Sequence, residues 1–197
     1  MKHDLAKIIR RVNLANGFVQ LTIEISESLN ALAGHWIVVE DKFRFYLMGQ
    51  NGNYFDLLLP PTVDEALLSA TSLNISALQG APLDMPNPET FYLVLVEDNA
   101  LSALIFFLKK YRNQFRGLVL IGTSTQFPFQ PCPSRLLIPG MPNDVIAALP
   151  LLEDWGIPNR LASLNLQPGC FEGSVEQLAK EWRHQPAELQ KIIIPTV

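Results

Sequence analysis

Hydrophobic and polar residues alternate in short segments along the first half of the chain. In FVQLTIEI, residues 18–25, apolar residues occupy every second position. This period of two is typical of a β-strand with one buried face. Similar segments, separated by turn residues, lie at 6–14, 35–41, 42–49, 53–60 and 71–78. Six short strands predict a closed antiparallel β-barrel over residues 1–80, with a short helix at 63–70.

A proline-rich stretch follows the predicted barrel. Residues 81–90, APLDMPNPET, contain three prolines, and proline interrupts both helices and sheet ladders. We therefore expect a linker at 81–90 and a domain boundary there.

The second half of the chain has a different pattern. FYLVLV at 91–96 and GLVLIG at 117–122 are continuous apolar runs, as in parallel strands that are buried on both faces. Further strands are predicted at 134–140, 160–165 and 191–197, and helices at 100–115, 143–156 and 174–184. This alternation predicts a small α/β domain with a mainly parallel sheet over residues 91–197.

Composition and charge exclude several classes of protein. Hydrophobic residues make up 48% of the chain and charged residues 17%, which favours an ordered core over disorder. The net charge of −4 offers no basic excess for nucleic acid. The apolar runs are too short for a membrane span, and the start of the chain lacks the pattern of a signal peptide. A cytoplasmic protein is expected, and two cysteines fit a reducing compartment.

Residues with obvious catalytic chemistry are few. The three histidines are far apart in sequence, and no zinc-protease, nucleophile-elbow or P-loop motif occurs. No metal site is predicted. Cys170 follows Gly169 shortly before a predicted helix, a setting that can lower a thiol pKa. Without a neighbouring base in sequence, an ordinary small buried residue is the favoured interpretation of Cys170.

The segment DKFRFYLMG, residues 41–49, combines aromatic residues with one arginine. On pattern alone it is either an ordinary barrel strand or part of a flavin site. Its Arg44-Phe45-Tyr46-Leu47 resembles the Arg-x-Tyr-Ser/Thr motif of the ferredoxin–NADP reductase superfamily, and a barrel before an α/β half is that superfamily's layout. Within it, the resemblance is closest to the electron-transfer subunits of dihydroorotate dehydrogenases.

The resemblance implies a cofactor site for FAD or FMN. Arg44 would bind the flavin phosphate, Tyr46 would pack on the isoalloxazine ring, and Leu47 replaces the hydroxyl residue. Gly80 lies in a segment similar to the turn that closes the family's barrel. Asn99 lies in the loop that corresponds to the family's nucleotide loop.

Other segments depart from the family's pattern. The nucleotide loop of the family is rich in glycine, whereas residues 96–101 here read VEDNAL. Glu97 and Asp98 would repel a phosphate by roughly 1–4 kcal/mol, which makes NAD(P) binding in the usual mode unlikely. Residues 138–140, Ile-Pro-Gly, stand where we align the family's Cys-Gly-Pro. Cys170 alone cannot hold an iron–sulfur cluster.

Two hypotheses follow from the sequence. The first is a flavin-binding electron-transfer subunit with impaired NAD(P) binding and a redox protein partner. The second is a non-catalytic accessory or regulatory subunit that binds another protein through a degenerate reductase fold.

Overall fold

The computed structural model of the protein describes residues 3–26 and 29–197. The described chain forms two compact units, one of Met1–Asp84, Asn99–Lys110 and Val197, and one of Met85–Asp98 and Tyr111–Thr196. The predicted boundary at 81–90 stays a prediction.

The first unit contains a closed six-stranded antiparallel barrel, as predicted. Its strands are β1 (His3–Asn13), β2 (Val19–Glu24), β3 (Trp36–Val39), β4 (Phe43–Asn51), β5 (Tyr54–Leu59) and β6 (Ser72–Ser76). Their order around the barrel is β1-β2-β5-β4-β3-β6. The predicted short helix is α1 (Glu65–Ser69).

The barrel core follows from the period of two in the strands. Alternate residues of β2, Leu21 and Ile23, are fully buried and pack with Leu47 and Phe55 from neighbouring strands. Phe106, from helix α2 (Leu101–Tyr111), also packs against this core. The unit therefore includes most of a helix that follows the barrel by more than twenty residues in the chain.

The second unit is built on a parallel sheet, which confirms the predicted fold class. Its strands are β7 (Phe91–Glu97), β8 (Gly117–Thr123), β11 (Asn159–Ser163), β12 (Phe171–Glu172) and β13 (Leu189–Ile194). They are ordered β12-β11-β8-β7-β13. Two short strands, β9 (Cys132–Pro133) and β10 (Ala147–Ala148), pair antiparallel. The helices are α3 (Pro150–Asp154) and α4 (Val175–Glu181), and Ser174 and Gln177 form a capping box at the start of α4.

The predicted strand at 134–140 is wrong. Side chains satisfy the backbone of this segment in place of a neighbouring strand. Arg135 N–H donates to the Glu153 carboxylate at 2.8 Å, and the Leu136 carbonyl accepts from the Arg160 guanidinium at 2.8 Å. Apolar content alone cannot distinguish such a segment from a buried strand.

The predicted helix at 143–156 is also wrong over most of its length. Only α3 is helical, and it begins at Pro150. Proline suits the first turn of a helix, and it keeps the preceding residue extended. Leu149 has φ −77° and ψ 117°. The apolar residues before it therefore do not extend the helix, and two of them, Ala147 and Ala148, form β10.

Within the described residues, no helix is long and apolar enough to cross a membrane.

Candidate functional site

Strand β4 divides the predicted flavin residues between two faces of the barrel. Phe45 and Leu47 belong to the barrel core, and Leu47 is fully buried. Arg44 and Tyr46 alternate with them, because successive side chains of a strand point to opposite faces. Leu47 therefore fills the barrel interior and does not share the outer face with Arg44 and Tyr46.

Arg44 lies on an exposed part of the barrel wall. Its guanidinium carbon is 5.4 Å from the centroid of the Trp36 ring, a cation–π distance. Trp36 is the cross-strand partner of Tyr46, so these three residues share one outer face of β3 and β4. In residues 3–26 and 29–197, no carboxylate forms an ion pair with Arg44. The Arg44 guanidinium is therefore available to bind an anionic group.

Tyr46 does not offer a free ring face. Its exposed fraction is 5%, and burial raises the pKa of its phenol. Stacking of an isoalloxazine ring needs one open face of the phenol. The residues in β4 thus fit a phosphate at Arg44, but they do not fit a flavin ring stacked on Tyr46.

Gly80 is required by the closure of the barrel. Trp36 and Gln79 exchange two backbone hydrogen bonds, of 3.0 and 2.9 Å, and Gly80 follows with φ +83°. A Cβ on Gly80 would lie 2.7 Å from the Gly34 carbonyl oxygen and 2.8 Å from the Trp36 ring. Glycine is needed at position 80 because the backbone passes close to Gly34 and Trp36 of the protein itself.

Asn99 is engaged with the protein backbone. Its Nδ2 donates to the Val197 carbonyl at 2.9 Å, and its Oδ1 accepts from Val197 N–H at 3.4 Å. The side-chain amide of Asn99 therefore makes one hydrogen bond as donor and one as acceptor, both with the backbone of Val197. The structure does not bring Asn99 together with Arg44 in a common hydrogen-bonding cluster.

Asp98 follows the carboxyl end of β7 and binds the loop after β8. One carboxylate oxygen accepts from Thr123 Oγ1 at 3.1 Å and from Ser124 N–H at 3.0 Å, and the other accepts from Ser124 Oγ at 3.0 Å. Ligands of open α/β sheets bind at this edge, outside the carboxyl ends of the strands. In this protein, the Asp98 carboxylate occupies the hydrogen-bond donors of Thr123 and Ser124 at this edge.

Glu97 takes the neighbouring donor at the same edge. Its carboxylate accepts from the first N–H of α4, that of Val175, at 3.4 Å. Gly122 leaves room for it, since a Cβ there would lie 2.9 Å from the carboxylate. Burial raises the pKa of Glu97, with smaller contributions in the same direction from Glu176 and Asp98 and an opposing one from the Val175 hydrogen bond.

Residues 138–140, which we align with the family's Cys-Gly-Pro, contact the residues that follow α4. Gly140 accepts from Arg183 N–H at 3.0 Å, and Pro139 accepts from the Trp182 indole at 2.9 Å. Trp182 also contacts Phe91, the first residue of β7. The segment therefore packs against the end of α4, and its alignment with the family's Cys-Gly-Pro stays a prediction.

Neither Cys132 nor Cys170 has the lowered pKa of an activated thiol. Burial raises the pKa of Cys170 to about 11 and raises that of Cys132 as well. This direction is consistent with the favoured interpretation of Cys170 as an ordinary small residue. Within the described ranges, no group of three or more His, Cys, Asp or Glu residues is arranged to hold a metal ion.

Sequence reasoning missed Trp36, Thr123 and Ser124. Trp36 could have been found by extending the pairing of β3 and β4 outward from the turn at Glu40–Asp41. Thr123 and Ser124 carry no such signal, because their contact with Asp98 depends on the order of the strands in the sheet.

The fold occurs in several solved structures. The chain aligns over 98% of its length with a siderophore-interacting protein from Acinetobacter baumannii, at 13% identity, a TM-score of 0.64 and 78% coverage of that chain. It aligns over 98% of its length with a ferredoxin NADP+ reductase from Neisseria gonorrhoeae with bound FAD and NADP, at 12% identity, TM-score 0.65 and 85% coverage.

A cytochrome P450 reductase from Amycolatopsis aligns with 98% of this chain at 10% identity and TM-score 0.63, and the chain spans 61% of its length. No protein-family sequence model matches the chain, and no curated protein sequence matches it.

Proposed function

We propose that this chain, which has the ferredoxin reductase-like fold, functions without a pyridine nucleotide as an accessory or regulatory subunit that binds another protein. The supporting observation is the use of the hydrogen-bond donors beside β7 by Glu97 and Asp98. The chain spans 61% and 85% of the length of two reductases with a similar fold.

The argument rests on what a pyrophosphate needs. Dinucleotide sites supply backbone N–H groups and the positive end of a helix to the phosphates. At this edge, Ser124 N–H and Val175 N–H already donate to carboxylates. A phosphate would have to displace them and would then meet two negative groups, at a repulsion of roughly 1–4 kcal/mol each in partly solvated surroundings.

Titration calorimetry with NADH, NADPH and NADP+ tests the proposal on the purified protein. We expect no binding at nucleotide concentrations up to about 1 mM. A Kd of about 1 mM would correspond to a binding free energy of only about 4 kcal/mol. The same samples, mixed with FAD and an artificial electron acceptor, should show no oxidation of NADH or NADPH. A Kd below about 100 µM for any of the three nucleotides would contradict the proposal.

A second candidate function is a flavin-binding electron-transfer subunit that is reduced by a protein. Two observations favour it: the Arg44 guanidinium above Trp36, which pairs with no carboxylate of residues 3–26 and 29–197, and the FAD bound in the similar reductase from Neisseria gonorrhoeae. Arg44 would hold the flavin phosphate, and the flavin would supply one- and two-electron chemistry. Because Tyr46 is buried, we assign no stacking role to it.

Flavin titration separates the two candidates. The visible spectrum of the purified protein and equilibrium dialysis with FMN and FAD show whether flavin binds. If it does, Arg44→Ala should weaken binding about tenfold to a hundredfold, the effect of losing a charged hydrogen bond. Arg10→Ala, at an exposed arginine of β1, is the matched control and should bind flavin as the wild type does.

A colourless protein that takes up neither FMN nor FAD would contradict the flavin candidate and leave the accessory role. If the wild type and Arg44→Ala bind flavin equally well, the proposed contact between Arg44 and the flavin phosphate is wrong, although the protein still binds flavin.

A further inference from the structure

The turn before β3 is closed by a histidine side chain. His35 N–H donates to the Leu32 carbonyl at 3.0 Å, and Leu32 N–H donates to Nδ1 of the His35 ring at 3.1 Å. Two hydrogen bonds therefore join Leu32 and His35 around Ala33 and Gly34. Gly34 has φ +98°, a conformation that glycine adopts without strain. We call residues 32–35 the histidine turn.

One of these two hydrogen bonds depends on the protonation state of the ring. An imidazole nitrogen accepts a hydrogen bond only while it carries no proton, so the neutral His35 ring holds its single proton on Nε2. The next proton binds Nδ1. The charged ring would then direct an N–H group at the Leu32 N–H, and the turn would lose one of its two closing hydrogen bonds.

The histidine turn also binds the segment that leaves the barrel after β6. The Ala33 carbonyl accepts from Leu83 N–H at 2.7 Å. The two backbones pass so close together that a Cβ on Gly34 would overlap with the Ala81 carbonyl oxygen. The position of residues 81–83 therefore depends on the conformation of the histidine turn.

The histidine turn itself contains no charged residue besides the ring. Residues 29–34, β6 and residues 79–83 contain no ionisable side chain. On the adjacent elements, the ionisable side chains within the described ranges are Glu40, Asp41 and Lys42 at the far end of β3, Arg44 and Tyr46 of β4, Lys109 at the Met48 carbonyl, and the exposed Asp84. Burial lowers the pKa of His35 from its ordinary value of 6.5, because the closed turn disfavours the charged ring.

We propose that the histidine turn is a proton-sensitive switch: protonation of His35 on Nδ1 opens the turn and releases residues 81–83 from the barrel. Opening returns the ring to water, where it binds a proton more tightly than in the closed turn. The open fraction should therefore rise as pH falls below about 6.5. This proposal is independent of nucleotide and flavin binding.

Amide hydrogen exchange, followed by NMR on the full chain, tests the switch. We expect the protection factors of Leu32 and Leu83 to fall about tenfold from about pH 7.5 to about pH 5.5, the effect of one lost hydrogen bond. Over the same range, the ring nitrogens of His35 should change from the neutral form with its proton on Nε2 to the doubly protonated form. Ile23, in the barrel core, should keep its protection because only the turn opens.

His35→Gln separates the hydrogen bond from the charge. The glutamine side-chain oxygen can accept from Leu32 N–H and does not titrate, so the protection factor of Leu83 should be the same at both pH values. His184→Gln, at an exposed histidine, is the matched control and should respond to pH as the wild type does.

The proposal is overturned if the neutral His35 ring carries its proton on Nδ1, or if the ring stays unprotonated down to about pH 5. It is also overturned if the ring titrates while the protection of Leu83 stays constant. A fall in protection that His35→Gln shows as strongly as the wild type would assign the effect to another group and overturn the proposal.

Discussion

The backbone of Asp98 has φ of 45°, in the left-handed region that most residues avoid. Aspartate tolerates this region better than other non-glycine residues, because its short side chain can hydrogen-bond locally. The conformation directs the carboxylate to Thr123 and Ser124, where it accepts three hydrogen bonds. Asp98 thus allows the chain to turn after β7 without a glycine. Its carboxylate also occupies the hydrogen-bond donors of Thr123 and Ser124 at the end of β8.

Glu97 should make stability depend on pH in a direction that is unusual for a carboxyl group. Its pKa is raised in the folded protein from an ordinary value of 4.5. The folded state therefore binds the proton more tightly than the unfolded state. Its contribution to stability is fully present below about pH 4.5 and is lost as pH rises through the raised pKa.

Glu97→Gln removes this titration and keeps an oxygen that can accept from Val175 N–H. We expect the melting temperature of the variant to exceed that of the wild type by about 1–3 °C at pH 7 and to match it near pH 4. Glu89→Gln, at an exposed loop carboxyl, is the control and should leave both values unchanged. A Glu97→Gln variant that is less stable than the wild type at pH 7 would show that the charged form is the favoured one.

Among the elements, the end of the barrel after β6 depends on one glycine. Gly80→Ala would place a methyl group 2.7 Å from the Gly34 carbonyl at φ +83°. We expect a loss of about 2–4 kcal/mol in the free energy of unfolding, from positive φ and steric overlap together. Gly52→Ala is the matched control, since its φ is +58° and a Cβ there has nothing within 4 Å.

Urea denaturation of both variants measures the two effects. The control should lose only about 1–2 kcal/mol, the cost of positive φ alone. Equal losses in the two variants would mean that the backbone near Gly34 moves to admit the methyl group.

Elements with a strong period were predictable from sequence, and those set by tertiary contacts were not. The alternation in β2 and the continuous apolar runs of β7 and β8 each correspond to a strand, because burial on one or both faces fixes the pattern. Residues 134–140 are equally apolar, but Glu153 and Arg160 satisfy their backbone. In the candidate site, the outward position of Arg44 followed from the period, whereas the burial of Tyr46 did not.

For the whole molecule, charge is distributed unevenly. The chain has a net charge of −4, yet the loops that follow β8 and β11 carry none of it. Two acidic side chains at this end of the sheet, Glu97 and Asp98, are directed to backbone and hydroxyl donors, whereas Glu172, beside Ser163 of β11, is exposed. The acidic side chains at this end of the sheet are thus divided between hydrogen bonds within the protein and the solvent.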